Sequence, residues 1–194
     1  MPNDKPVPIE FDELLAAEFD YIAQTAIQAN EDRARVSSFY LIAVGSLLAA
    51  MFGTQFFDPN FFSQTVNIMF GGLFVLLTLL GTSTIMQLAR LRTAWYESML
   101  AMNQLKDYMM SENKSLVNAF RWKTVTLPSK YKTDSVSYYQ TVEVALISGL
   151  MFGAAAFFIQ QAFFSIGLVH WIISILMGLL TVYFQLSIYK RTVK

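Results

Sequence analysis

Four long apolar segments dominate this chain of 194 residues. Glu143 is the only Asp, Glu, Lys or Arg residue in any of them. An α-helix rises about 1.5 Å per residue, so each segment is long enough to cross the hydrocarbon core of a bilayer, which is about 30 Å thick. The sequence therefore predicts an all-α, multi-pass membrane protein with four transmembrane helices. The predicted spans cover residues 36–57, 65–89, 137–159 and 167–189.

The 14 Lys and Arg residues all lie on one side of these spans. They occur before span 1, between spans 2 and 3, and after span 4, whereas the connections near residues 57–64 and 160–167 have none. Lys and Arg residues close to span ends are retained on the cytoplasmic side of a membrane. We therefore expect the chain to lie in the inner (cytoplasmic) membrane of a cell, surrounded by the lipid bilayer, with both termini in the cytoplasm.

The spans divide the chain into four parts. The first part is a cytoplasmic tail followed by an amphipathic helix, because apolar residues recur at spacings of three and four from Phe11 onward. Two transmembrane hairpins follow, separated by a polar, basic cytoplasmic part, and the second hairpin ends in a short basic C-terminus. The four parts are residues 1–35, 36–90, 91–135 and 136–194.

An apolar stripe continues out of span 2 into the cytoplasmic part. Apolar residues keep helical spacing from Ile85 to Met109, which predicts one continuous helix of about 45 residues. A stripe of that length needs a partner. The first 32 residues are acidic and the section 84–135 is basic. We expect the acidic helix to dock on the basic section. The alternative is two solvated faces, with the basic section attracted to anionic lipid heads.

The two hairpins match each other at an offset of 100 residues. Met51-Phe52-Gly53 corresponds to Met151-Phe152-Gly153, and Val44 corresponds to Val144. Two hairpins of the same orientation predict a tandem parallel repeat about an axis along the membrane normal. The alternative is a chance similarity between apolar segments that are rich in Phe.

The repeat keeps small residues at four-residue spacing in spans 1 and 3. Small residues at positions i and i+4 let two helix backbones approach closely, which matters in lipid because apolar contact alone gives helices no net drive to associate. We therefore predict that spans 1 and 3 make contacts through these stripes, either with each other or with a neighbouring subunit. The first stripe is Gly45, Ala49 and Gly53, and the second is Ala145, Gly149 and Gly153.

The sequence lacks the residue patterns of known catalytic and metal sites. It has no Cys and one His, which excludes disulfides, thiolate metal sites and Cys nucleophiles. It has no HExxH, GxSxG or phosphate-loop motif. We therefore expect a non-enzymatic protein with no cofactor, no metal site and no identifiable small-molecule substrate. Nucleic-acid binding is not expected either, because the basic residues are sparse and close to the bilayer.

Two residues within the spans are candidates for chemistry. Glu143 is an ionisable residue in an apolar segment, which suggests proton or ion coupling; the alternative is solvation, or pairing with a basic residue, near the cytoplasmic boundary. His170 is a candidate single ligand for a pigment or haem iron. Beside Trp171, it is also typical of an interfacial aromatic belt. Polar residues at mid-span, which a carrier needs, are few: Ser46, Asn67, Thr78, Ser148, Ser174 and Thr181.

A basic flank, Asp32-Arg33-Ala34-Arg35, precedes span 1, and the helix after span 2 carries Leu91-Arg92-Thr93-Ala94-Trp95-Tyr96 and later Tyr108. In this arrangement residues 30–112 resemble the SLATT-type bacterial membrane domains. The resemblance is one of architecture and covers less than half of the chain, and the second hairpin departs from the two-span plan. It implies an oligomeric, pore-forming effector.

Three functions follow from these observations. The small-residue stripes, the long apolar helix and the lack of catalytic motifs favour a self-associating or accessory subunit of a membrane assembly, either a homo-oligomer or a complex with other membrane subunits. The alternative is an oligomeric pore-forming effector or channel. A third hypothesis is an ion-coupled carrier that uses Glu143.

Overall fold

A computed structural model describes residues 11–53 and 63–194. This part of the chain forms four α-helices and two short 3-10 helices, without a β-strand. The predicted all-α class is confirmed, and all four α-helices are long and apolar enough to cross a membrane. The predicted N-terminal tail, the end of span 1 and the connection after it lie outside the described residues. The helices are α1 (Phe11–Gly53), α2 (Gln64–Glu112), α3 (Val136–Phe163) and α4 (Leu168–Val193).

Successive helices run in opposite directions, so the bundle has two distinct ends. At one end, the Tyr189 hydroxyl near the end of α4 lies 3.1 Å from the Ser137 hydroxyl at the start of α3, and Lys106 of α2 lies against Phe19 of α1. We call this the charged end. The turn between α3 and α4, at residues 164–167, marks the opposite end, which we call the turn end. The short 3-10 helices, Lys114–Asn118 and Thr124–Thr126, belong to the segment that joins α2 to α3 at the charged end.

Helices α1 and α2 pack against each other and extend well beyond one span. They contain 43 and 49 residues, so each is longer than about 60 Å. The predicted amphipathic helix and span 1 form the single helix α1, and span 2 continues without a break to Glu112. In the charged-end half of α1, Ile22, Ala26 and Ala29 are buried. Their spacing of four and three residues places them on one helix face.

The acidic half of α1 lies along the basic half of α2 without forming ion pairs to it. The Lys106 ammonium lies 5.7 Å from the centroid of the Phe19 ring, so the contact is a cation–π interaction. The two ion pairs found among residues 11–53 and 63–194 are local, one within α1 and one in the segment before α3. Burial of the apolar stripe of α1, rather than charge pairing, accounts for this packing.

The segment between α2 and α3 folds back along α2. Three polar side chains of α2 bind the main chain of this segment, which satisfies backbone groups that have no helix or sheet partner. The half of α2 beyond span 2 therefore has two partners, α1 and the returning segment. The three bonds are Asn103 Nδ2 to the Lys123 carbonyl (3.2 Å), Thr124 N–H to Asp107 Oδ2 (3.3 Å) and Arg92 Nε to the Lys130 carbonyl (3.1 Å).

Helix α2 lies at the centre of the bundle and contacts α1, α3 and α4. The core between α2 and α3 contains stacked rings, with the centroids of Phe74 and Phe158 5.6 Å apart. Large apolar side chains also cover the outer faces, such as Ile42 of α1 and Leu179 of α4, which are 66% and 61% exposed. Such outer faces are the surfaces that a helix of this kind presents to lipid.

Candidate functional site

The predicted stripe of α1 lies on an outer face of the bundle. Gly45, Ala49 and Gly53 are all exposed. A Cβ atom added to Gly45 or Gly53 would meet no atom of the described residues within 4 Å. Neither glycine is therefore needed for packing among the described residues.

The predicted stripe of α3 instead forms a close crossing with α4. A Cβ atom on Gly149 would lie 2.8 Å from the Gly178 carbonyl oxygen, and one on Gly178 would lie 2.8 Å from the Gly149 carbonyl oxygen. Gly153 packs against the backbone of Ser174 in the same crossing, and Ala145 is buried in the core. Within this chain the two stripes do not meet, because α4 occupies the face of α3 on which they would do so.

A cluster of polar side chains lies inside the bundle, where α2, α3 and α4 meet. Gln185 of α4 is fully buried, and its Nε2 donates to Thr82 Oγ1 at 2.8 Å and to Ser148 Oγ at 2.7 Å. Ser148 Oγ in turn lies 3.3 Å from the Thr78 carbonyl oxygen, to which it donates. Buried polar groups of this kind fix helix register, because leaving them unpaired in an apolar medium is unfavourable.

Helix α1 reaches the same cluster through Tyr40, which is 1% exposed. A Cβ atom on Gly81 would lie 2.6 Å from Ser148 Oγ and 2.9 Å from the Tyr40 hydroxyl oxygen. At Gly81, side chains from α1 and α3 therefore both pack closely against the backbone of α2. One buried oxygen of the cluster, Gln185 Oε1, has no hydrogen-bond partner among the described residues. The cluster contains no carboxylate and no basic side chain.

Glu143 and His170, the two candidates for chemistry, lie outside this cluster. Glu143 is exposed near the start of α3. The Nδ1 atom of His170 accepts a hydrogen bond of 3.1 Å from the Gly167 N–H, so the imidazole caps the first turn of α4. Its ring lies over Phe164, with centroids 6.0 Å apart. Among residues 11–53 and 63–194, no group of three or more His, Cys, Asp or Glu side chains is placed to hold a metal ion.

Two partly or fully buried arginines, Arg33 and Arg92, lie at the charged end. Arg92 is 6% exposed, and its guanidinium lies 4.5 Å from the centroid of the Trp95 ring. Burial lowers the pKa of Arg33 from its usual value, and the neighbouring charge of Arg92 lowers this pKa further. Burial also lowers the pKa of Arg92. Within residues 11–53 and 63–194, no carboxylate lies within 4.0 Å of either guanidinium.

Three tyrosine rings pack together at the charged end. The hydroxyl groups of Tyr189 and Ser137 are 3.1 Å apart, which ties the end of α4 to the start of α3. The rings of Tyr131 and Tyr138 lie 6.4 and 6.2 Å from that of Tyr189. Burial raises the pKa of Tyr131, so its phenol stays neutral and adds no countercharge for the arginines.

The sequence alone predicts neither the buried polar cluster nor the buried arginines at the charged end. Ser148 and Thr78 are recognisable as mid-span polar residues, but Gln185 and Tyr40 carry no signal beyond being polar residues in apolar segments. Arg33 and Arg92 belong to the basic flanks of spans 1 and 2 and are 59 positions apart in the sequence.

Comparisons with protein-family models, with curated proteins and with solved structures give no match to this chain. The class of the protein therefore rests on its own fold. Four long apolar helices, packed around a buried polar cluster, make it a multi-pass, all-α membrane protein.

Proposed function

We propose that this chain is a non-enzymatic integral membrane protein that acts through helix association, as a self-associating or accessory subunit of a membrane assembly. The observation that carries the proposal is the exposed stripe of Gly45, Ala49 and Gly53. Its counterpart in α3 is used for close packing within the chain, whereas Ala49 is exposed and an added Cβ at Gly45 or Gly53 meets no described atom within 4 Å. A glycine stripe on an outer face gives a second transmembrane helix the same kind of close approach.

The polar interior supports association over transport. Its side chains hydrogen-bond to one another across three helices, and the core above and below them is apolar. A carrier needs convergent polar groups around a midplane substrate site. Glu143, the ionisable residue that a coupled carrier would use, is exposed and lies away from the cluster.

The double substitution Gly45→Leu and Gly53→Leu is expected to weaken association without unfolding the chain. Both side chains project from an outer face, so they disturb a partner helix and not the bundle itself. We expect the dissociation constant of the assembly to rise at least about tenfold, because the backbones no longer approach closely. Native mass spectrometry of the chain purified in mild detergent with its co-purifying subunits measures this change.

Gly72→Leu is the matched control for this experiment. Gly72 is also an exposed transmembrane glycine with no atom within 4 Å of an added Cβ, but it lies on α2, away from the stripe. A wild-type chain that is monomeric and retains no other subunit contradicts the proposal, as does an equal effect of Gly72→Leu. Ion flux through liposomes that contain only this chain would instead favour the pore-forming function implied by the SLATT-type resemblance.

We also propose that the charged end faces the cytoplasm and that the membrane is the inner membrane of a cell, as the one-sided Lys and Arg distribution indicates. Because the chain has no Cys, single introduced cysteines report the orientation. In intact cells, a membrane-impermeant maleimide is expected to label Ser165→Cys, at the turn end, and to label Lys194→Cys only after permeabilisation. The opposite labelling pattern contradicts the orientation.

A further inference from the structure

We propose that two copies of this chain dock at the charged end, with Trp122 of each copy inserted into an apolar groove of the other. The groove lies between the start of α1, the end of α2 and the segment that joins α2 to α3. The inference rests on the self-association proposed above and names a surface for it. Four observations carry it: the groove, an exposed tryptophan, the distance of both from the bilayer, and opposite charge.

The groove is apolar inside and acidic at two positions along α1. Its volume is about 450 Å³, which leaves room for an aromatic side chain. Asp12 and Asp20 line it and are exposed. The apolar lining comes from three elements and is only partly buried: Leu15 and Phe19 of α1, Met109 of α2, and Phe120 of the joining segment.

The joining segment presents large apolar side chains outward. Trp122 is 60% exposed and Val125 is 89% exposed. The main chain between them is fixed, because the Lys123 carbonyl accepts from Asn103 at 3.2 Å and the Lys123 N–H donates to Thr126 Oγ1 at 2.9 Å. An exposed tryptophan on an anchored main chain is typical of the residues that dominate protein interfaces.

The groove and the tryptophan both lie too far from the bilayer to be covered by lipid. The apolar part of α2 ends at Ala89. Asn103, which holds the Lys123 carbonyl, lies about 20 Å farther along the helix, and Met109 lies about 30 Å farther. The headgroup layer on one side of a bilayer is only about 5–8 Å thick. A protein is therefore the partner, and copies inserted in the same orientation present both surfaces at the same height.

The two surfaces carry opposite charge. Residues 11–30 contain four acidic and no basic residues, whereas residues 113–132 contain five basic and no acidic residues. Within residues 11–53 and 63–194, no ion pair joins these two stretches. Arg121 and Lys123 flank Trp122, so its insertion brings a basic residue towards each acidic position of the groove. Exposed ion pairs contribute little affinity, so apolar burial drives the docking and charge orients it.

The same surface of each copy can make both contacts. Phe120, which lines the groove, is only two residues from Trp122, so the groove and the tryptophan are close together on one chain. A two-fold axis pairs a residue of one copy with its complement on the other, and the reverse pair forms at the same time. With this axis along the membrane normal, both copies keep the same orientation in the bilayer.

Cysteine cross-linking of full-length chains in liposomes at low protein density tests the docking, because the chain has no Cys. One chain carries Ala16→Cys, at a residue that lines the groove. A second chain with a different tag carries Ala119→Cys, three residues before Trp122. We expect a short bismaleimide to join the two tags, which requires contact between copies. Leu14→Cys replaces Ala16→Cys as the matched control, since Leu14 is 54% exposed and projects from the opposite side of α1.

Substitutions in both chains test the two parts of the contact. Trp122→Ala is expected to lower the yield of the cross-link at least about tenfold, as loss of an interface anchor does. Asp20→Lys is expected to lower the yield about threefold through like-charge repulsion. Adding Lys123→Glu to Asp20→Lys is expected to restore the yield, which loss of folding would not allow.

The docking is overturned if Leu14→Cys cross-links as well as Ala16→Cys, if Trp122→Ala has no effect, or if Lys123→Glu fails to rescue Asp20→Lys. Native mass spectrometry of the wild-type chain separates this failure from failure of the proposed function. An oligomer, or a complex with other subunits, that accompanies any of these results leaves helix association intact and removes only the docking. A monomeric chain without other subunits contradicts both.

Discussion

Gly178→Ala is expected to lower the free energy of unfolding by about 1–3 kcal/mol, the usual effect of overpacking a close-packed interior. The added methyl group would lie 2.8 Å from the Gly149 carbonyl oxygen and 3.8 Å from Gly153 Cα. Both are backbone atoms, so the strain is relieved only if α3 and α4 move apart. Reversible unfolding in mixed micelles, monitored by circular dichroism, measures the loss.

Gly72→Ala provides the control for this substitution. It adds the same methyl group to an exposed transmembrane glycine where no atom lies within 4 Å. Ala is the better helix former by about 1 kcal/mol in water-soluble helices, so this variant is expected to be neutral or slightly more stable. If Gly178→Ala behaves like Gly72→Ala, the close crossing of α3 and α4 is wrong.

Gln185→Ala is expected to have a comparable effect of about 2–4 kcal/mol, through two separate causes. The substitution removes the bonds to Thr82 and Ser148, and side-chain hydrogen bonds between membrane helices contribute about 0.6 kcal/mol each on average. It also leaves a cavity at a fully buried site, which for large-to-small substitutions adds the larger share. Gln185→Met, which fills the space without bonding, is expected to lose only about 1 kcal/mol.

A double-mutant cycle of Gln185→Met and Ser148→Ala isolates the hydrogen bond between them. Residues in direct contact show coupling energies of about 0.5–3 kcal/mol, whereas distant pairs are additive. Gln87→Ala, at an exposed glutamine of α2, is expected to change the unfolding free energy by less than about 0.5 kcal/mol. Additivity in the cycle, together with equal losses for Gln185→Ala and Gln87→Ala, would contradict the polar cluster.

The architecture follows closely from the sequence because its signals are strong and local. Four apolar segments predict four membrane-crossing helices, and the structure has them. The continuous apolar stripe from Ile85 to Met109 predicts a helix that extends well beyond span 2. Helix α2 does so, since it ends at Glu112. These features depend on helical spacing and on the cost of exposing backbone groups in lipid, and neither requires knowledge of distant contacts.

The partners of each helix face are less accessible to sequence reasoning. The stripes containing Gly45 and Gly149 look equivalent at an offset of 100 residues, yet one is exposed and the other is packed against Gly178. Small-residue spacing indicates that a face can be approached closely, but it does not specify which helix approaches. The tandem repeat itself stays a prediction.

For the candidate sites too, local features follow from the sequence, whereas long-range contacts follow only from the tertiary structure. The sequence by itself determined the fold class and the concentration of charge between spans, because hydropathy and helical period act over neighbouring residues. Only the tertiary structure brought Gln185 to Ser148 and Arg92 to the Lys130 carbonyl, across separations of 37 and 38 positions. Such meetings depend on how four helices rotate and stack against one another, and that rotation is set by the packing of all four faces at once.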